Sequence, residues 1–208
     1  MSDLHKALTD ITSIRRDLAR STQFRGYGPA TLATTGIFAI AAAFLQAHWL
    51  PDPVSQHPLA YLRIWAALAA VSATLTGGQV VTRTRRVHSG LSNEMLRQAV
   101  EQFLPALAAG VLLTLVLLRH YSPATFWMLP GLWQIVFALG VFASCRFLPR
   151  PMLAAGVWYL FSGLACLNFG NARALSPWTM GLAFGGGQLL TAAILYLTAQ
   201  EAEDDAEV

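Results

Sequence analysis

Charge is scarce in this 208-residue chain: only 12% of its residues are Asp, Glu, Lys or Arg, about half the usual share. Hydrophobic residues make up 55%, and a soluble domain of this size would need more polar surface to cover its core. Lipid is therefore the expected solvent. Cysteine is nearly absent, and the two present, Cys145 and Cys166, sit in apolar runs without metal-ligand spacing. Catalytic signatures are missing too. There is no HExxH, no GxSxG elbow and no phosphate-binding glycine loop, and no two carboxylates face each other within an apolar run. Nothing points to an enzyme, and no cofactor is implied. His48, His57 and His120, with Asp52 nearby, are spread too loosely over two loops to suggest a metal site.

What the chain has is apolar length. About 20 residues at 1.5 Å each cross a bilayer. Six such runs are expected to span, at Pro29–Leu50, Leu59–Val81, Glu101–Leu118, Thr125–Cys145, Met152–Gly170 and Trp178–Thr198. The connections between them carry turn formers, "PDPVSQHP", "YSP", "LPRP" and "NARALSP". The fold class is thus all-α, a polytopic bundle of six transmembrane helices. Short connections make consecutive helices antiparallel neighbours. Residues 1–27 form a cytoplasmic segment, 28–199 the membrane domain and 200–208 an acidic cytoplasmic tail. That tail, "EAEDDAEV", is expected to be solvated and disordered.

Basic residues set the direction. Eleven of the 14 Lys and Arg fall before the first run, between the second and third, or between the fourth and fifth. Only Arg63, Arg119 and Arg173 remain for the other side. The positive-inside rule then places both termini in the cytoplasm, and Trp49, Tyr61, Trp65, Tyr121, Trp127 and Trp178 fall at the outer interface. The stretch before the first run, "ITSIRRDLARSTQFRGYGPA", fits this orientation. Leu4, Leu8, Ile11, Ile14 and Leu18 form one helical stripe, and Arg15, Arg16 and Arg20 occupy much of the rest. A cleaved signal would have a shorter apolar core, and a nucleic-acid arm would lack the stripe. The segment reads as an amphipathic helix on the inner leaflet, its arginines near anionic lipid, in preference to a protein-docking helix. No nucleic-acid partner is expected.

Polar side chains inside the runs are the candidate binding residues. Glu101 opens the third run with Glu94, Gln98 and Arg97 close by. It is either a proton or cation site at the cytoplasmic mouth or an interfacial carboxylate paired with a loop arginine such as Arg83 or Arg86. Gln134 in "LPGLWQIVF" and Gln188 in "FGGGQLLTA" follow glycine-containing elements in corresponding hairpins, whereas Gln79 in "LTGGQVV" breaks the pattern. Such amides either bond across helices or line a pathway. Gly156, Gly163 and Gly170 repeat every seven residues, and Gly181 with Gly185 makes a small-xxx-small pair. These faces either close the bundle or make a homo-oligomer through Gly156, Gly163, Gly181 and Gly185.

The segments "RGYGPATLA", "EQFLPALAAG", "WMLPGLWQI", "LGVFASCRFLPR" and "LSPWTMGLAFGGGQLL" together resemble an uncharacterised family of small multi-span bacterial inner-membrane proteins. The resemblance covers most of the chain. It implies the helical membrane fold and a bacterial inner (cytoplasmic) membrane, and it carries no catalytic residues. Two functions fit this sequence. One is a non-enzymatic membrane module that senses, scaffolds or regulates. The other is a small oligomeric transporter or channel, favoured by Gly and Pro interruptions near Pro130, Gly131 and Gly185–Gly187 that could bare backbone carbonyls to a cavity.

Overall fold

The computed structural model describes residues 28–49, 58–86 and 90–207. The amphipathic stripe with Arg15, Arg16 and Arg20, and the loop holding Asp52 and His57, lie outside the described residues. Six long helices account for most of the rest: α1 (Pro29–Trp49), α2 (Pro58–Arg86), α3 (Gly90–His120), α4 (Leu129–Ser144), α5 (Leu153–Phe169) and α6 (Pro177–Glu207). Short 3-10 turns at Pro123–Met128 and Arg150–Met152 lead into α4 and α5, and a helical turn at Asn171–Ala174 precedes α6. No strand occurs among the described residues. Six segments are long and apolar enough to cross a membrane: Pro29–Trp49, Pro58–Gln79, Arg97–His120, Pro123–Ser144, Arg150–Asn168 and Pro177–Glu201.

Proline explains many of the starts. Pro29, Pro58 and Pro177 are the first residues of α1, α2 and α6, and Pro123 opens the turn before α4. At a first helical position the missing N–H would have had no intrahelical partner, and the fixed φ suits the helix. Gly170, at φ 59°, stops α5 in a conformation that a side chain would resist.

Packing departs from the expected chain order. α1 makes its most extensive contact with α6, α4 lies between α3 and α5, and α5 closes on α6. α2 rests on α1, and among the described residues α2 and α3 make no substantial contact despite being consecutive. Antiparallel neighbours by connection therefore hold for four of the five successive pairs. The exception is α2 with α3, whereas α1 and α6, at opposite ends of the sequence, share a close fit. At that crossing a Cβ added to Gly36 would lie 3.0 Å from the Gly185 carbonyl oxygen, and one on Gly185 would lie 2.5 Å from Ile40. Gly181 meets Ala43 in the same seam. Small residues let two backbones approach where no hydrophobic effect separates helix from lipid.

The seam also fixes direction. Gly36 faces Gly185 and Ala43 faces Gly181, so α1 and α6 run antiparallel. The bundle thus has a terminal end, where α1 starts and α6 finishes, and a hairpin end, where α1, α3 and α5 finish. One cluster of buried side chains fills the hairpin end: Ala39, Ala43, Tyr61, Leu62, Trp65, Phe126, Leu129, Leu175 and Met180. A second, with Leu32, Met152, Ala192, Ile194 and Leu195, fills the terminal end. Between them lies an aromatic layer. Phe137 stacks against Phe103, Tyr159 and Phe184 at centroid distances of 5.1, 4.6 and 5.4 Å.

Two expectations need correction. The acidic tail does not leave the fold as disordered chain, since α6 continues through Glu207. Ala199, Gln200, Glu201, Ala202 and Glu203 are all good helix formers, so the helix propagates past its apolar part. The glycines and proline expected to interrupt spans do not do so. Gly185–Gly187 sit inside continuous α6, and Pro130 and Gly131 lie in the first turn of α4, where proline costs nothing. Finally, Gly156, Gly163, Gly181 and Gly185 are used within the chain, against Phe142, Gly131 with Ile135, Ala43 and Ile40 respectively. In this chain they serve to close the bundle.

Candidate functional site

The buried polar groups form two separate sets. The first occupies the hairpin end. Gln46 on α1 accepts a hydrogen bond from the Trp65 indole on α2 at 2.8 Å. Tyr61, one turn before Trp65, donates to the Ser176 carbonyl at 3.2 Å and lies 3.4 Å from the Thr179 hydroxyl. Gln134 on α4 donates to the Thr179 carbonyl at 3.2 Å and touches the Met180 sulfur at 3.7 Å. The start of α6 is thereby tied to α2 and α4 together. Cys166 belongs to the same region, its thiol 3.7 Å from the Ala174 carbonyl.

This set is buried and incompletely paired. Gln134 is 0% exposed and Gln46 2%, so any missing partner must come from inside. Oε1 of Gln134 and Nε2 of Gln46 have none among the described residues. An unpaired buried polar atom costs about 1–3 kcal/mol, so these amides are held by the packing around them.

The second set lies deeper along α6. Tyr159 on α5 is 1% exposed with its hydroxyl unpaired, and Oε1 of Gln188 on α6 is likewise buried without a partner. Gln188 packs by its Cβ against Gly36 of α1, which places it in the α1–α6 seam. Nine residues separate Thr179 from Gln188, about 13 Å along the axis at 1.5 Å per residue. Phe184, between them, packs on Phe137 and Tyr159. Gln134 and Gln188 are therefore not brought together within the chain.

Glu101 stands apart from both. It lies well inside α3 rather than at its start, and it is more than half exposed. Its described partner is Arg97 one turn back on the same helix, Nε to Oε1 at 3.6 Å. An exposed pair of this kind contributes little to stability. The side chains of Arg83 and Arg86, the loop partners considered from the sequence, are outside the described residues. The three candidates thus occupy three places, not one site.

Sequence reasoning passed over Gln46, Tyr61, Trp65, Tyr159 and Thr179 as polar partners. Gln46 carried the same signal as Gln134, an amide in an apolar run. The two aromatics of α2, expected at the outer interface, are also packed inside the bundle, Tyr61 0% and Trp65 2% exposed. Polar links between α3 and α4 were also missed: the Trp133 indole donates to Thr114 at 2.7 Å, and Ser144 donates to the Ala99 carbonyl at 2.9 Å. Among the described residues no group of three His, Cys, Asp or Glu could hold a metal. Both cysteines are free thiols. Comparison with protein-family models, with curated proteins and with solved structures finds no match.

Proposed function

We propose that this chain is a non-enzymatic integral membrane protein that senses, scaffolds or regulates, held in a bacterial inner membrane with both termini in the cytoplasm. The observation that carries the reading is the separation of Gln134 from Gln188. Their amides sit in different packed contacts, with the Phe137–Tyr159–Phe184 layer beside the segment of α6 that joins them. A transport path of this length needs successive polar groups along one lumen, commonly with a buried acid or base. Glu101, the carboxylate nearest to that requirement, is exposed beside Arg97. The membrane setting follows from the six apolar helices, the orientation from the division of Lys and Arg, and the bacterial origin from the family resemblance. Anionic lipid near Arg15, Arg16 and Arg20 would anchor the N-terminal segment.

Proteoliposomes test this. Vesicles holding the purified protein, with imposed proton, sodium or potassium gradients and a reporter dye inside, should leak no faster than protein-free vesicles. Gradient dissipation that requires the protein, and that is lost in a Gln134→Leu/Gln188→Leu variant, would instead establish the transporter reading.

A further inference from the structure

α6 outruns the helix it packs on. Gly36 of α1 meets Gly185, Gln188 and Leu189, and Ala43 meets Gly181, so each step back along α1 is a step forward along α6. Leu32 accordingly shares a cluster with Ala192 and Leu195. By the same register Pro29, the first residue of α1, is level with Leu195 and Tyr196. α6 continues through Glu207, so roughly its last 11 residues, about 17 Å at 1.5 Å each, run past the start of α1.

That extension holds Glu201, Glu203, Asp204, Asp205 and Glu207, and α6 contains no Lys, Arg or His. Carboxylates gathered at a helix C-terminus are unfavourable on two counts. They sit at the negative end of the macrodipole. Glu201 with Asp204 and Asp205, and Glu203 with Glu207, are also like charges three or four residues apart. The helix nevertheless continues to Glu207, and a cation from another part of the chain would offset both terms. Arg150 is badly placed for this: it lies two residues from Met152, which packs at the level of Ala192 and Leu195, short of the acidic turns.

The chain that enters α1 is better placed. Arg25 is three residues before Gly28 and Arg20 eight. At no more than about 3.3–3.6 Å per residue, their reach from Gly28 is about 10 Å and about 27 Å. Packed helix axes are about 8–10 Å apart, so Arg25 reaches the base of the extension and Arg20 its whole length. We infer that the segment ending at Gly28 docks along the acidic extension of α6, with Arg20 and Arg25 paired to its carboxylates, as a latch between the two ends of the chain. So short a tether holds the partners at an effective concentration near the millimolar range. Arg15 and Arg16, further out, are left to the lipid surface, and Arg20 is the residue for which the extension and an anionic head group compete. The inference rests on the register and the charges, and it is independent of the functional reading above.

The test uses the full chain in nanodiscs of zwitterionic lipid, with Cys145→Ser and Cys166→Ser and spin labels at Thr22→Cys and Ala202→Cys. Pulsed distance measurement at low salt should give one short, narrow population. It should lengthen and broaden in about 1 M salt, where the Debye length falls to about 3 Å. Arg20→Gln/Arg25→Gln should have the same effect, and Arg146→Gln/Arg150→Gln should not. Amide exchange of residues 201–207 gives a second reading without labels: it should quicken severalfold in Arg20→Gln/Arg25→Gln alone. A distance that is broad from the start, or that ignores both salt and the Arg20 and Arg25 substitutions, overturns the proposal. So does one that disappears on dilution with unlabelled protein, which would place the contact between copies. A short distance found only with anionic lipid also overturns it, because the leaflet and not α6 would then gather the segment.

Discussion

The indole nitrogen of Trp65 donates to the side-chain carbonyl of Gln46 at 2.8 Å, with both residues buried, and this bond joins α2 to α1 across their connecting loop. It matters because, with the Tyr61 contacts to Ser176 and Thr179, it is one of the few side-chain links that hold α2. Tyr61, Leu62 and Trp65 are buried, while Val71, Leu75 and Val81 further along are about half exposed. The attachment of α2 is thus closest in its first two turns, with a further contact where Gln79 meets Gly28.

Gln46→Leu should therefore destabilise the protein by about 1–2 kcal/mol, since it strands the Trp65 N–H in a dry contact. Trp65→Phe should cost a similar amount by stranding the amide, and it also removes part of the ring packing with Tyr61 at 6.3 Å. Denaturation of the purified protein in mixed micelles measures both. Wild-type stability in both variants would mean that α2 is held by something other than this bond.

The glycines separate by position. Gly163→Ala would bring a methyl within 2.8 Å of the Gly131 carbonyl oxygen and of Ile135, so α4 and α5 must move apart. A loss of melting temperature is expected. Gly77→Ala should be neutral or mildly stabilising, because nothing lies within 4 Å of its added methyl and alanine favours the helix by up to about 1 kcal/mol. Equal effects at the two sites would contradict the assigned α4–α5 crossing.

These contrasts also mark what could be read from the amino acids alone. Apolar length and the prolines at 29, 58, 123 and 177 locate the spans to within a few residues, because span length and the lost N–H are local facts. Partner choice is not local. Nothing in the run around Gly36 says that it meets Gly185 rather than a residue of α2, since the fit depends on two surfaces far apart in sequence. The same limit applies to the candidate site. Gln134 was visible as an amide in an apolar segment, but its partner is a backbone carbonyl at Thr179, which carries no side-chain signal. The packing of Tyr61 and Trp65 was hidden for a related reason, as belt aromatics and core aromatics have the same composition.

Orientation has its own check. With Cys145 and Cys166 replaced by serine, a single Gln56→Cys or Ala172→Cys should react with a membrane-impermeant maleimide on intact cells, and Ser89→Cys should react only after lysis. The expectation rests on the bias of Lys and Arg toward the side of residues 1–27. Labelling of position 89 from outside would reverse the topology.

The native cysteines should never pair within a chain. Cys145 follows the end of α4, while Cys166 lies 13 residues into α5, about 20 Å away in depth at 1.5 Å per residue. A disulfide needs Cα atoms within about 7 Å. Oxidation of the purified monomer followed by non-reducing digestion should release no peptide joining the two, and finding one would refute the helix boundaries.

Gln134 and Gln188 give the last test, because their separation carries the functional reading. Gln134→Leu removes the bond to the Thr179 carbonyl but also removes a buried oxygen that has no partner, so the two effects partly offset. Its net cost should be at most about 1–2 kcal/mol. Gln188→Leu acts at the other level, where the side chain packs against Gly36. The two positions share no described partner, and Thr179, whose carbonyl Gln134 bonds, lies about 13 Å along α6 from Gln188, beyond the roughly 7–10 Å at which substitutions usually couple. Their losses should add within about 0.5 kcal/mol. Strong coupling between them, measured by a double-mutant cycle in the same micelles, would require a connected polar path through the Phe184 layer. Such a path is what a transporter needs and what the packing of Phe137, Tyr159 and Phe184 opposes.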